Sequence, residues 1–334
     1  MSILANLTER LHPVLMSPGS HFSLFSLAGA FCVGFGYLAF RQWRRRGHVR
    51  LAALSRAFFS RELMFHRSTR ADLFYFFVNI FVTGLFIGWF CLGVKEVSEF
   101  VQALLTDRFG ARAPSQAPEL VSRTVVTVVA FLAYEFGYWL DHYLKHRIPF
   151  LWETHKTHHT AERLTPWTVW RVHPLDSLVF TNVVALCVGL AIGVTAFAFG
   201  ARFAAYAVDG TNAFLVLFFF AYVHLQHSQI WIPFTGALGR LLMSPAHHQI
   251  HHSIDPAHYN SNMGNALAIW DWMFGTLVVP QKESPRLAFG VDEPGVDPHS
   301  VTELLLTPFR DVAVALLPQA PAQEALEKRA ELSR

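Results

Sequence analysis

The chain has 334 residues, of which 52% are apolar and only 15% are charged, and its formal net charge is +3. Soluble globular proteins carry about 25% charged residues, so this chain lacks the polar surface that water requires. The small net charge disfavours a nucleic-acid partner, because nucleic-acid binding needs a dense, local basic surface. The three cysteines, Cys32, Cys91 and Cys187, share no short spacing, which argues against a disulfide scaffold or an iron–sulfur cluster.

Long apolar segments predict an integral-membrane protein. A helix needs about 20 consecutive apolar residues to cross a bilayer. Four segments approach or reach that length, residues 22–40, 73–94, 124–140 and 178–200, and a fifth, 213–223, predicts a partial or tilted span. We therefore expect an all-α fold, a helical membrane bundle of four to five spans with a cytoplasmic helical cap.

The segment after the first predicted span sets the expected orientation. Nine arginines lie between residues 41 and 70, and the acidic residues up to position 72 are Glu62 and Asp72. An arginine excess of this kind marks the cytoplasmic side of a membrane. With this orientation, the ends of the later spans bring all histidine clusters to the cytoplasmic face.

Histidine is concentrated in one part of the chain, because 13 of the 18 histidines lie between His142 and His258. Offsets of three and four residues place side chains on one face of a helix, so each cluster can direct several ring nitrogens to one point. Two HxxHH patterns in a chain of this length argue strongly against chance. The clusters are His142-x-x-x-His146, His155-x-x-His158-His159, His224-x-x-His227 and His248-x-x-His251-His252.

These clusters predict a metal site. Crowded imidazoles repel one another when protonated and lack partners when neutral, and a cation bound to neutral rings removes both problems. Eight or more histidines with no nearby cysteine exceed the four ligands of a closed zinc site and suffice for two ions. Imidazole suits zinc, copper, iron and nickel alike, so the ligands leave the metal open. Asp141 and Glu153 adjoin the clusters, and we expect them on the helix surface or orienting the rings.

The order, spacing and flanking residues of these motifs resemble the fatty acid hydroxylase/sterol desaturase superfamily of integral-membrane oxygenases. The resemblance covers about residues 125–280 and includes PFLWETHKTHH at 149–159, SPAHHQIHH at 244–252 and WDWMFGT at 270–276. Many members have arginine after the first histidine, where this chain has Tyr143, and this difference leaves the subfamily open.

The resemblance implies a non-haem di-iron centre with two iron ions, which uses O2 as co-substrate to hydroxylate a membrane lipid such as a sterol or a fatty acyl chain. By motif position it assigns metal binding to nine histidines, and His224 is a further candidate because it shares a helical face with His227. The predicted ligands are His142, His146, His155, His158, His159, His224, His227, His248, His251 and His252. Residues expected to orient ligands or to contact substrate are Asp141, His173, His247 and His258.

We predict three regions: membrane spans and an arginine-rich cytoplasmic loop over 1–120, a catalytic domain over 121–281, and a cytoplasmic tail over 282–334. The two electrons for each turnover have to come from a separate electron donor of the cytochrome, ferredoxin or reductase type, because the sequence has neither a dinucleotide-binding fingerprint nor a cysteine cluster. A lipid desaturase on the same metal centre is an open alternative. A membrane metal-binding or transport protein is a more distant one, since transport sites usually lie near the bilayer midplane.

Overall fold

The structure is a computed structural model that describes residues 11–12, 14–20, 22–83, 89–291 and 297–317. Helices dominate these residues, which confirms the predicted helical class. The one sheet among the described residues is a two-stranded antiparallel hairpin, Ala207–Val208 with Thr211–Asn212. The helices are α1 (Leu24–Arg46), α2 (Leu51–Phe59), α3 (Arg61–Met64), α4 (Arg67–Val78), α5 (Val94–Phe109), α6 (Glu119–Arg147), α7 (Pro149–His159), α8 (Pro174–Phe199), α9 (Ala213–Ala221), α10 (Val223–Gln226), α11 (Gly236–Leu241), α12 (Pro245–His251), α13 (Ile269–Phe274) and α14 (Val301–Leu316), with a π-helical turn at Asn79–Thr83 and 3₁₀ turns at Thr168–Trp170 and Pro256–His258.

Three helices, α1, α6 and α8, are long and apolar enough to cross a membrane. Less than a third of the most apolar stretch of each is buried within the protein, so the remaining side chains are available to lipid. These helices correspond to the predicted spans at 22–40, 124–140 and 178–200. The protein is therefore a helical membrane protein, as predicted.

The other two predicted spans have a different form. The segment 73–94 is not one continuous helix in the described part of the chain: α4 passes into the π-helical turn, residues 84–88 lie outside the described residues, and α5 begins at Val94. Helix α9 has nine residues, which at 1.5 Å per residue is far too short to cross a bilayer alone. The total of four to five spans therefore stays a prediction.

Helix α5 packs closely along α8, and small residues make this approach possible. A Cβ atom added at Gly189 would lie 2.6 Å from the Cβ of Val97, and one added at Gly193 would lie 2.7 Å from the carbonyl oxygen of Ser98. Any larger residue at these positions would push the two helices apart. Helix α8 also packs against α6, so α8 is the central helix of this part of the bundle.

The regions before and after the predicted catalytic domain pack onto it. The Tyr75 hydroxyl in α4 donates to the carbonyl oxygen of Leu304 in α14, and both residues belong to one buried apolar cluster. Helix α14 also packs along α7, which carries one of the histidine motifs. The two flanking regions therefore support the helix from which these histidines project.

Candidate metal centre

Four helical segments bring the histidines together. Helix α6 contributes its last two turns, α7 contributes its C-terminal half, the end of α10 contributes His227, and α12 contributes the third motif. Helix α12 begins where it does because Pro245 occupies its first turn and Ser244 caps it: the Ser244 hydroxyl accepts from the His247 amide, and the His247 ring accepts from the Ser244 amide.

Nine histidines form two groups, and within each group one ring nitrogen from every member lies within 4.8 Å of the others. All nine are buried except His146, which is half-buried. The first group is His142, His146, His155, His159 and His251; the second group is His158, His227, His248 and His252.

Hydrogen bonds at Nδ1, the ring nitrogen that points away from the group, fix the tautomer of several histidines. The Nδ1 atoms of His142 and His251 each lie 2.8 Å from a carbonyl oxygen, those of Met263 and Ser261. The Nδ1 atom of His158 lies 3.2 Å from the Arg171 carbonyl oxygen. A carbonyl only accepts, so these Nδ1 atoms carry the proton and the lone pair of Nε2 points into the group.

The inward nitrogens face one another at short range. Nε2 of His227 lies 3.0 Å from Nε2 of His158 and 2.8 Å from Nε2 of His248, and Nε2 of His251 lies 3.2 Å from Nε2 of His159. Nε2 atoms of three further rings, those of His142, His146 and His155, are buried with no hydrogen-bond partner among the described residues. Converging lone pairs are unfavourable without a positive charge between them, so the donor set fits metal cations.

Burial keeps these rings neutral. It lowers the pKa of His227 to about 3 and, together with neighbouring histidines, lowers the pKa of His158, His159, His248 and His252 below the ordinary value. A neutral ring is the form that binds a metal ion.

A buried carboxylate that the sequence analysis missed orients one ring of the first group. Asp176, in the first turn of α8, accepts from Nδ1 of His155 (2.6 Å) through one oxygen and from Nζ of Lys145 (2.8 Å) through the other. Asp141, which was expected in this role, lies 2.6 Å from the Lys145 ammonium instead. Asp176 lies 21 residues after His155 in a separate helix, so no local spacing indicates the contact.

The remaining predicted residues lie outside both groups. The ring of His224 contacts the Ser26 hydroxyl through Nε2 (3.1 Å) and the Pro166 carbonyl through Nδ1 (3.1 Å), so the structure does not bring it to the other ligands. His173 caps α8, and its Nε2 lies 3.2 Å from the Leu305 carbonyl oxygen.

His247 has both ring nitrogens in hydrogen bonds, to Ser244 and to the Gly239 carbonyl, so it holds α12 in place. His258 is half-buried in a 3₁₀ turn and belongs to neither group. Glu153 forms an ion pair with Lys156 at 2.5 Å on α7.

A second missed residue, Arg171, supports the other group. Its backbone carbonyl is the partner of His158, and its fully buried guanidinium lies 3.1 Å from the carboxylate of Asp72 in α4. The same guanidinium donates to the Thr160 hydroxyl and to the Pro298 carbonyl oxygen. Arg171 therefore ties the loop behind His158 to regions on both sides of the histidine motifs.

A cavity of about 420 Å³ lies next to both groups. His142 and His155 from the first group and His158 and His227 from the second form part of its wall. The remaining wall combines apolar or aromatic side chains with polar ones, and they come from the segment before α1, the π-helical turn after α4, α6, the 3₁₀ turn at Thr168–Trp170, α8, α9 and α10. The apolar and aromatic side chains include Phe22, Val169, Trp170, Phe180, Phe219 and Val223, and the polar ones include Asn79, Lys145 and Gln226. An apolar chain placed in this cavity would bring a carbon atom to the histidine groups.

The fold and this site define a class: a helical membrane protein with two buried groups of histidines, each of which could hold a metal ion, beside a cavity. Residues 127–276 match the family model for fatty acid hydroxylase. This match confirms the predicted resemblance to the fatty acid hydroxylase/sterol desaturase superfamily.

Known relatives are similar to about half of the chain. The chain is 30% identical over 169 residues to alkylglycerol monooxygenase of Xenopus tropicalis and 28% identical over 168 residues to alkylglycerol monooxygenase of Homo sapiens. It is 30% identical over 173 residues to ornithine lipid hydroxylase OlsE of Rhizobium tropici. These alignments cover 50%, 49% and 51% of this chain, but only 33%, 33% and 46% of the relatives' length. No solved structure matches the chain significantly.

Proposed function

We propose that this protein is a monooxygenase that hydroxylates a membrane lipid with O2 at a pair of iron ions. The observation that carries the proposal is the presence of two groups of inward-facing Nε2 atoms in the wall of an apolar cavity between membrane helices. The proposed iron ligands are His142, His146, His155, His159 and His251 for one ion and His158, His227, His248 and His252 for the other.

In this reaction one atom of O2 is inserted into a C–H bond of the lipid. The other oxygen atom takes up two protons and two electrons and is released as water. Bound iron supplies the O2 chemistry, because no side chain is an oxidant strong enough for an unactivated C–H bond. The electrons come from a separate donor of the cytochrome, ferredoxin or reductase type, since nothing in the sequence indicates a bound redox cofactor of another kind.

The chain's own residues position the reactants. The aromatic wall of the cavity holds the apolar chain and excludes water from the reacting carbon. Asp176 and the carbonyl groups of Met263, Ser261 and Arg171 hold the imidazole rings in the orientation and tautomer that a metal requires. These contacts fix the ligands before any metal arrives.

The relatives support hydroxylation over the alternative of desaturation, because they are an alkylglycerol monooxygenase and an ornithine lipid hydroxylase. We propose that the catalytic face is cytoplasmic, on the basis of the arginine-rich segment at 41–70. The division into regions 1–120, 121–281 and 282–334 stays a prediction.

Elemental analysis and product analysis together test the function. Detergent-purified protein should contain about two iron ions per chain. With a reducing system, a bacterial lipid extract and ¹⁸O2, it should yield a lipid that has gained one labelled oxygen atom. His155→Ala and His251→Ala should abolish iron retention and turnover, whereas His224→Ala, which changes a buried ring outside both groups, should retain iron.

Three results would contradict the proposal. A wild-type protein without a bound transition metal would remove its basis. A product that has lost two hydrogen atoms and gained no oxygen would identify a desaturase. Metal uptake into vesicles without O2 consumption would identify a transporter.

A further inference from the structure

The cavity has hydroxyl groups in its wall although it lies between apolar helices. The side chains of Thr83, Tyr134, Tyr138 and Ser177 all line it. The Thr83 hydroxyl is buried without a hydrogen-bond partner, and the hydroxyls of the half-buried Tyr134, Tyr138 and Ser177 form no hydrogen bond with the described residues. The four residues come from three separate elements: the π-helical turn after α4, helix α6 and helix α8. Other polar side chains of the wall already hydrogen-bond within the protein, so these four hydroxyls are left to bind a ligand. The side chains with partners include Asn79, Lys145, Asp176, Gln226 and Asn265.

Buried hydroxyl groups without partners are unfavourable, because they lose their hydrogen bonds to water and gain nothing in return. A hydrocarbon chain in this cavity would leave all four hydroxyls in that condition. An oxygen atom of a ligand would accept hydrogen bonds from them, and a ligand hydroxyl could also donate to them, because a tyrosine, serine or threonine hydroxyl does both.

The two tyrosines place this polar surface close to the metal site. Tyr134, Tyr138 and His142 follow one another at intervals of four residues, so they form a stripe along one face of α6. The ring of Tyr138 meets the ring of His142 edge-on with centroids 5.8 Å apart, and it packs against Phe180 on its other side at 5.6 Å. One turn of helix, about 5.4 Å, thus separates Tyr138 from a proposed iron ligand.

From this geometry we infer that the hydroxyls of Tyr134, Tyr138, Ser177 and Thr83 bind an oxygen function of the substrate. The substrate is then a lipid with a hydroxyl, ether or ester oxygen a few bonds from the oxidised carbon, and not an unsubstituted stretch of hydrocarbon. This inference rests on the proposed function and narrows its substrate class.

Equilibrium binding tests the inference without requiring turnover. Stearyl alcohol, stearyl methyl ether and octadecane share one chain length and differ in a single oxygen function. We expect the purified protein in detergent to bind the alcohol and the ether about tenfold more tightly than octadecane, as one net hydrogen bond would produce. Calorimetric titration or competition with a fluorescent fatty chain measures this ratio.

Variants locate the preference. Tyr138→Phe removes one hydroxyl and keeps the ring, so the preference for the oxygenated probes should fall to within about twofold while octadecane binding stays unchanged. Tyr143→Phe is the matched control: Tyr143 is on the same helix, stacks on Trp139 with centroids 5.0 Å apart, and is not part of the cavity wall. It should keep the full preference.

Equal affinity of the wild-type protein for all three probes would overturn the inference. A full preference for the oxygenated probes in both Tyr138→Phe and Tyr134→Phe would also overturn it, because the tyrosine hydroxyls would then bind only water. Thermal unfolding of each variant is compared with Tyr143→Phe, and Tyr134→Phe replaces Tyr138→Phe if the latter is unstable. Failure of the proposed function gives a different result: no lipid gains labelled oxygen from the wild-type protein, whatever the binding preference.

Discussion

Replacing Asp176 by asparagine is a direct test of how the site orients a metal ligand. One oxygen of this buried carboxylate lies 2.6 Å from Nδ1 of His155 and the other lies 2.8 Å from Nζ of Lys145. Asparagine has the same shape, but it carries no negative charge and presents an NH2 group in place of one oxygen. In the variant, either His155 or Lys145 therefore faces a donor instead of an acceptor.

The expected magnitudes follow from these contacts. A hydrogen bond to a charged partner contributes about 1.5–3 kcal/mol, and loss of a partner that orients a metal-binding histidine typically reduces metal affinity about 10–100-fold. Lys145 keeps its 2.6 Å contact with Asp141, so the ammonium group is not left alone. We therefore expect the free energy of unfolding to fall by about 1–3 kcal/mol, less than the 3–5 kcal/mol typical of a fully broken buried ion pair.

The assay is iron retention during titration with a chelator, followed by elemental analysis, with thermal unfolding measured in parallel. Asp141→Asn is the matched control, because it removes the other carboxylate partner of Lys145 and leaves the bond between Asp176 and His155 intact. Asp176→Asn should lose iron at a 10–100-fold lower chelator concentration, and Asp141→Asn should lose mainly stability. Equal loss of iron in the two variants would refute the argument that Asp176 acts through His155.

Other variants and conditions have equally definite outcomes. Burial lowers the pKa of His227 and His251 to about 3 in the folded protein, against 6.5 in an unfolded chain. Between these values only the unfolded chain binds the protons, so the free energy of unfolding is at its full value above pH 6.5 and falls as the pH drops below it. Chemical denaturation at pH 5 should show a loss of up to about 2 kcal/mol per ring. Arg171→Gln leaves the Asp72 carboxylate buried without its cation, and chemical denaturation should show a loss of about 3–5 kcal/mol. Gly193→Val should lower the melting temperature, because its side chain would collide with the Ser98 carbonyl oxygen.

The helical spans could be predicted where their signal is local. Length and apolar composition predicted α1, α6 and α8, because a lipid-facing helix has to be apolar over most of its length. The interruption after α4 could not be predicted in this way. There the side chain of Asn79 donates to the carbonyl oxygens of Trp170 and Val172, which are about 90 residues away in the chain.

The histidine clusters could also be predicted from a local signal, because helical offsets of three and four residues bring side chains together on one face of a helix. The same argument failed to separate His224 from His227, because it requires both residues to lie within one regular helix. Helix α10 has only four residues and ends at Gln226, so His227 has non-helical backbone angles and its ring turns towards the second group while that of His224 does not. The partners of the ligand rings, among them Asp176 and the carbonyl of Met263, come from distant segments and leave no local pattern.

Part of the cavity wall comes from outside the region that matches the family. Residues 127–276 contain all nine grouped histidines, but Phe22, Asn79 and Thr83 line the cavity from the N-terminal side. Asp72 and the Pro298 carbonyl, which also lie outside that region, bind the guanidinium of Arg171, whose own carbonyl contacts His158. The two histidine groups therefore lie wholly within the matched region, whereas the cavity wall also includes side chains from segments that precede it. The alignments with the relatives cover about half of this chain, so the substrate of this chain has to be determined from its own cavity.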